Sequence, residues 1–217
     1  MPDFKTRRLM MVDTQVRPSD VTKFPIIDAL LSVPRELYVP NDKVEAAYVG
    51  ENLPLAPHRV LLEARTFAKM LDALVLQADD LVLDLGCGYG YSSAVIAKMV
   101  EAVVAIEEDP DMAKEAERTL ASEGVDNVAL IEAPLVEGAP KHGPYDVIVI
   151  EGAVVQIGDA ILAQLKEGGR IAAIFAEDAL GVVRIGYKLN GKITWRFDFN
   201  AGAPVLPGFE KTADFAF

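Results

Sequence analysis

Leu81-Val82-Leu83-Asp84-Leu85-Gly86-Cys87-Gly88-Tyr89-Gly90-Tyr91 decides the fold of this chain. A strand-sized apolar run leads straight into three glycines at alternate positions, and a helix is expected from about Tyr91. Glycine lets the backbone turn sharply and approach a ligand closely. The first turn of the helix presents free N–H groups to the same place. A strand, glycine loop and helix in this order put a ligand beyond the carboxyl end of the strand.

Working outward, short β-rich runs alternate with helical stretches. Strands are expected at 102–108, 127–132, 145–151 and 170–176, and helices near 91–100, 110–123 and 155–166. This rhythm implies an α/β fold with a parallel sheet and helices on both faces. Right-handed crossovers then make it a doubly wound, Rossmann-like sheet. After Gly181 the pattern changes. GVVRIGYKL and KITWRFDF flank Asn190-Gly191, a strong hairpin signal, so an antiparallel pair finishes the sheet, and Ala213–Phe217 reads as a further edge strand. On the amino-terminal side, residues 1–34 read as helical, the proline-bearing 35–60 mostly as loop, and 61–77 as helix again. The expected organisation is an N-terminal helical and loop extension over 1–77 and a ligand-binding domain over 78–217.

Bulk properties narrow the function classes. The 217 residues suit one large domain. No apolar run approaches the roughly 20 residues that a membrane-spanning helix needs, and the first residues lack the pattern of a secretory signal. Cys87 is the only cysteine, which fits a reducing, cytoplasmic setting. Net charge is −12, and residues 101–151 hold 13 Asp or Glu against 3 Lys or Arg. Such a surface repels a nucleic acid backbone and tolerates a cationic ligand.

The loop also indicates its ligand. A dinucleotide fingerprint needs glycine at the first, third and sixth positions, but counting from Gly86 the sixth is Tyr91. Asp84 would repel a pyrophosphate and attract an α-ammonium group. Glu107, 21 residues after Gly86, stands where an acidic residue holds ribose hydroxyls. Adenosine joined to an amino acid without phosphate describes S-adenosylmethionine. The candidate cofactor contacts are Asp84, Leu85, Gly86, Cys87, Gly88, Gly90 and Tyr91 in the loop, with Glu107, Glu108, Glu132 and Glu151 at the ends of neighbouring strands. Cys87 reads as a small residue in a tight loop rather than a nucleophile, since no basic residue lies near it in sequence.

Leu81–Ala97 resembles the first motif of S-adenosylmethionine-dependent methyltransferases, and Pro144–Ile150 and Leu165–Arg170 resemble later strands and turns of that class. More narrowly, Ala29–Pro40, Ala47-Tyr48 and Leu53-Pro54-Leu55 resemble protein-L-isoaspartate O-methyltransferases, over a span from about residue 25 to about 176. The resemblance implies methyl transfer to a carboxylate of damaged protein, with the segment ahead of the cofactor domain helping to cover the site. Two stretches depart from that pattern. The family's hydroxyl-bearing loop is replaced by Ala56-Pro57-His58-Arg59-Val60-Leu61-Leu62, and its Gly-Asp after the third core strand by Ala133-Pro134, with Glu132 as a substitute acid.

Displacement on a sulfonium needs no metal. A carboxylate acceptor with a pKa of about 4 is already ionised and needs no general base, so alignment and exclusion of water carry the reaction, and no catalytic residue is singled out. Two histidines, His58 and His142, are too few for a histidine-based metal site. His58 and Arg59 are the substrate-binding candidates, Arg59 by a bidentate grip on a carboxylate. The alternative for the pair is an exposed position in a loop. Alternatives for the whole chain are a methyltransferase retuned to another carboxylate or small molecule, an inactive nucleoside-binding regulatory protein and, weakest, a dehydrogenase.

Overall fold

The structure is a computed structural model, which describes residues 3–177 and 180–211; Ala213–Phe217 lies outside them. Strands β3 (Leu81–Leu85), β4 (Ala102–Glu107), β5 (Val128–Glu132), β6 (Tyr145–Val154), β7 (Leu165–Glu177), β8 (Leu180–Leu189) and β9 (Lys192–Asn200) form one sheet in the order β5-β4-β3-β6-β7-β8-β9. Pairings from β5 to β7 are parallel, and β7–β8 and β8–β9 are antiparallel. Strand order reverses between β3 and β6, so a crevice opens beyond their carboxyl ends.

Period-two alternation divides the sheet residues between two cores. Val82, Val103, Val147, Val149 and Ala172 face one, and Leu83, Leu85, Ile106, Ile148, Ile150 and Ile171 face the other. The first core is thick. Helices α1 (Phe4–Met11), α2 (Phe24–Ser32), α3 (Ala64–Leu74) and α4 (Tyr91–Ala97) all contribute to it. Helix α3 is strongly amphipathic, and Phe67, Met70, Leu71 and Leu74 recur at three- and four-residue spacing on its buried side. Helix α5 (Pro110–Ser122) starts where β4 ends. Pro110 fits its first turn, and the Asp109 carboxylate accepts the N–H groups of Asp111 and Met112, both at 3.0 Å.

The hairpin after Gly181 forms as expected. Asn190 and Gly191 have φ of 53° and 73°, the left-handed backbone of a two-residue turn, and the Glu167 carboxylate accepts both their N–H groups.

Two expectations are corrected. The helix read at 155–166 shrinks to the four residues of α6 (Asp159–Leu162), because β6 continues through Val154 and β7 begins at Leu165. Val154, Val155 and Ile157 are β-branched and Gly158 disfavours a helix interior. The second face is therefore covered mainly by irregular chain carrying Leu135, Leu206 and Phe209. The stretch read mostly as loop contains a hairpin, β1 (Leu53–Ala56) with β2 (Arg59–Leu61), outside the main sheet and against β6. Pro54 is exposed on this two-stranded ribbon, where proline is tolerated.

Candidate functional site

The carboxyl ends of β3, β4 and β6 carry three buried carboxylates, Asp84, Glu107 and Glu151. The glycine loop between β3 and α4 is tied down by β4: the Ile106 carbonyl accepts the N–H groups of Gly86 and Cys87. Gly86, Gly88 and Gly90 have φ of 81°, 58° and 90°, a region that side-chain-bearing residues avoid. Their surroundings differ. A β-carbon on Gly90 would meet Ala116 and Leu120 of α5 at 3.3 Å, so Gly90 serves packing between helices. Gly86 lies beneath Arg59, Leu206 and Leu135, and Gly88 beneath Leu55.

Asp84 is fully buried. Ser92 and Ser93 of α4 both donate to its Oδ2, at 2.7 and 2.6 Å, and its Oδ1 has no partner. Burial pushes its carboxyl up to about 6; the serine hydroxyls and Arg59 pull against that, and the charge of Glu107 adds to it. Glu151 has one partnerless oxygen, and burial raises its carboxyl well above the usual range, with Asp84 adding and Arg35 opposing.

Glu107 is clasped. Both terminal nitrogens of Arg59 donate to it, one to each oxygen, and it also accepts the N–H groups of Gly88 at 2.7 Å, Glu108 at 3.0 Å and Asp109 at 3.1 Å. Arg59 is 5% exposed and Glu107 0%, so the pair is shielded from water. Arg59 also borders a cavity of about 660 Å³ whose wall includes Glu108, Glu132, Ala133, Pro134 and Pro207.

The sequence candidates therefore divide. Asp84, Gly86, Gly88, Glu107 and Arg59 come together, with Glu108 and Glu132 along the adjoining cavity. His58 is exposed at the hairpin turn, with φ of 59°, so it does not share the burial of Arg59. Leu85 turns its side chain into the second core. The Tyr91 ring lies in the first core between Tyr38 and Phe67, beneath the Arg35 guanidinium, leaving only its backbone near the loop. Cys87 is buried, and burial raises its thiol well above the ordinary value.

Several neighbours of the site were not singled out in the sequence. Ser92 and Ser93 had a signal, since a helix that starts beside Asp84 turns its first residues back toward it. Arg35 had none: its partners, the Ala47 and Leu62 carbonyls at 2.7 Å, lie 12 and 27 residues away. Leu206 and Pro207 reach the site because residues 204–209 fold back along the end of β6, with Leu206 N–H donating to the Ala153 carbonyl at 2.9 Å. Chemically, the arrangement suits a cation and hydroxyl groups: it offers acids near a backbone that can be closely approached, and the Cys87 thiol is held in its neutral form by burial.

The family model described as Protein-L-isoaspartate(D-aspartate) O-methyltransferase (PCMT) matches residues 8–195. A protein-L-isoaspartate O-methyltransferase of Methanoculleus marisnigri is 31% identical over 169 residues, 78% of this chain and 77% of the relative. Another from Gloeobacter violaceus is 34% identical over 161 residues, 74% and 78% of the two. Among solved structures, a protein-L-isoaspartate O-methyltransferase superposes with a TM-score of 0.80 at 20% identity, covering 95% of this chain and 66% of that longer one. A Plasmodium falciparum structure, described as a putative protein-L-isoaspartate O-methyltransferase in complex with S-adenosyl-L-homocysteine, gives 0.79 at 18% identity, covering 95% and 99%.

Proposed function

The chain belongs to the protein-L-isoaspartate(D-aspartate) O-methyltransferase family, and we propose that it transfers the methyl group of S-adenosylmethionine to an isoaspartyl carboxylate of damaged protein. It is a methyltransferase, and S-adenosylmethionine is its cofactor. The observation that carries the assignment of the site is Asp84, a buried carboxylate with a partnerless Oδ1 beside Gly86 and Gly88. A cationic group would supply the missing partner, so the residues present fit the cofactor.

When bound, the sulfonium supplies an activated methyl group. Asp84, oriented by Ser92 and Ser93, takes the α-ammonium group. Glu107 and Glu108 serve the ribose, and Glu132 stands on the side of the adenine. Gly86 and Gly88 let the backbone approach closely. Glu151, its carboxyl raised well above the usual range by burial, offers a polar oxygen at the end of β6. The acceptor carboxylate arrives ionised at neutral pH, and the hairpin, with Leu55 and Leu206, excludes water from the reacting groups. Residues 1–77 act as the cover over the 78–217 unit. Arg59 serves the acceptor side, with His58 exposed beside it for the incoming peptide.

The acidic surface disfavours nucleic acid as a partner. Among the described residues no helix is long and apolar enough to cross a membrane, and the single cysteine suits the cytoplasm.

Transfer of labelled methyl from S-adenosylmethionine to an isoaspartyl peptide, with the aspartyl peptide as control, tests the proposal. Transfer to the isoaspartyl form alone is expected. A protein that binds the cofactor but methylates neither would favour a second reading, a retuned acceptor. That reading rests on the Pro57-His58-Arg59 turn, which stands where the family carries its hydroxyl-bearing loop.

A further inference from the structure

Glu107 has no hydrogen-bonding capacity to spare. Its two oxygens accept five donors: two from Arg59 and one each from the backbone of Gly88, Glu108 and Asp109. A carboxylate offers about four lone-pair sites. A ribose hydroxyl therefore reaches Glu107 only if a donor leaves. The three backbone donors are fixed by the glycine loop and by the start of α5, so Arg59 is the donor that can go. Its Nη2 also lies 3.4 Å from where a β-carbon of Gly86 would stand, in the space that the glycine keeps open.

Arg59 has a place to go. It sits on a three-residue strand of a two-stranded sheet whose pairing slips between Pro54 and Ala56, and such ribbons are marginal alone. It follows an exposed residue with positive φ, and it borders the 660 Å³ cavity, which gives it room to swing. A guanidinium withdrawn from a buried carboxylate is costly until it finds another, and its planar fork matches a carboxylate in two-point contact.

We propose that Arg59 is a latch shared by two carboxylates: it pairs with Glu107 until the cofactor's ribose displaces it, and then grips the carboxylate of the methyl acceptor. This rests on the acceptor being a carboxylate, as proposed above. Two consequences follow. The cofactor spends part of its binding energy on opening the latch, and the acceptor binds well only after the cofactor. Arg59 is on this account a specificity-determining residue that enforces the order of binding. Glu108, whose charge also acts on Arg59, is the competing destination for the released guanidinium.

The test uses S-adenosylhomocysteine and an isoaspartyl peptide in titration calorimetry, so that no turnover occurs. Arg59→Gln is expected to bind S-adenosylhomocysteine about tenfold more tightly than the natural chain, within the usual range for coupled equilibria. The natural chain is expected to bind the peptide about tenfold more tightly with S-adenosylhomocysteine present, and Arg59→Gln to show no such dependence. A folded Arg59→Gln protein with unchanged or weaker S-adenosylhomocysteine affinity overturns the latch. Peptide affinity in the natural chain that ignores S-adenosylhomocysteine overturns the transfer of Arg59 to the acceptor. If Arg59→Gln does not fold, Arg59→Lys keeps the charge without the two-point grip; intermediate effects support the latch, and unchanged affinity and coupling overturn it. If the natural chain binds S-adenosylhomocysteine but never the peptide, the isoaspartyl reading fails, and the latch is decided by the S-adenosylhomocysteine measurement alone.

Discussion

Leu206 lies directly over Gly152, so close that a β-carbon at position 152 would stand 2.6 Å from its side chain. Leu206 is fully buried, reaches Gly86 as well, and is anchored through its N–H to the Ala153 carbonyl. Gly152→Ala is expected to cost about 1–3 kcal/mol, the usual penalty for forcing an extra carbon into a filled core. Urea unfolding of Gly152→Ala, Leu206→Ala and the double variant checks this. In the double variant the two losses should sum to more than the total observed, because removing the Leu206 side chain makes the room that the added methyl group needs. Strictly additive losses would mean that the two residues do not compete for space.

Stability should fall with rising pH through the range in which Asp84 ionises. Its folded value of about 6 exceeds the ordinary 3.8, so the folded chain holds this proton more tightly than the unfolded chain does. The associated stabilisation is fully present below pH 3.8 and lost as pH rises through about 6. Glu151 acts in the same direction. The difference in unfolding free energy between the natural chain and Asp84→Asn, followed from pH 4 to pH 7, should therefore shift in favour of Asn as pH rises. A difference that stays constant would show that Asp84 titrates normally.

Cofactor affinity has the opposite pH dependence. An ammonium group is attracted only to ionised Asp84, so S-adenosylhomocysteine should bind more tightly at pH 7 than at pH 5, and Asp84→Asn should bind it weakly at both. Calorimetry at the two pH values decides. Equal affinity in the natural chain and in Asp84→Asn would remove Asp84 from the site.

Glu107→Ala would leave Arg59 buried without its partner, and the Gly88, Glu108 and Asp109 N–H groups without their acceptor. Removing one member of a buried pair costs about 3–5 kcal/mol. Chemical unfolding should show a loss of that size together with weakened S-adenosylhomocysteine binding. A loss below about 1 kcal/mol would place the pair in the class of exposed ion pairs.

Arg35 ties two parts of the N-terminal segment to helix α4. It donates to the Ala47 and Leu62 carbonyls and lies 4.7 Å above the centre of the Tyr91 ring. Arg35→Ala should cost roughly 3–6 kcal/mol, since it loses two hydrogen bonds from a charged group that contribute about 1.5–3 each. Arg35→Lys should rescue little, because an ammonium group cannot reproduce the planar fork. Limited proteolysis should then cut within 41–52 before anywhere in the main sheet; unchanged resistance there would show that the segment is held by other contacts.

The sheet was legible because its information is local. Each strand from β3 to β7 carries a β-branched apolar run bounded by a turn, and Asn190-Gly191 marks its hairpin within two residues. Asp84, Gly86 and Gly88 could be read for the same reason. The β1–β2 hairpin was hidden because Pro54 and Pro57 mimic a loop in composition, although each sits where a two-stranded ribbon accepts it. The closing partner of Glu107 was hidden because Arg59 is 48 residues away. The sequence pointed to Arg59 gripping a carboxylate of the acceptor, while the carboxylate that it meets here is the chain's own Glu107. Leu206 gave no signal, because a leucine near Pro204 and Pro207 looks the same wherever the chain takes it.

Cys87 gives the glycine loop an unexpected durability. The thiol is buried, and its ionisation is pushed well above neutrality, with Asp84 and Glu107 adding to the effect. Peroxides and electrophiles attack the thiolate, and at neutral pH hardly any is present. Because Cys87 is the only cysteine in the sequence, it has no second thiol of the chain to pair with. The loop thiol should therefore react more slowly with peroxide than an exposed thiol of ordinary pKa.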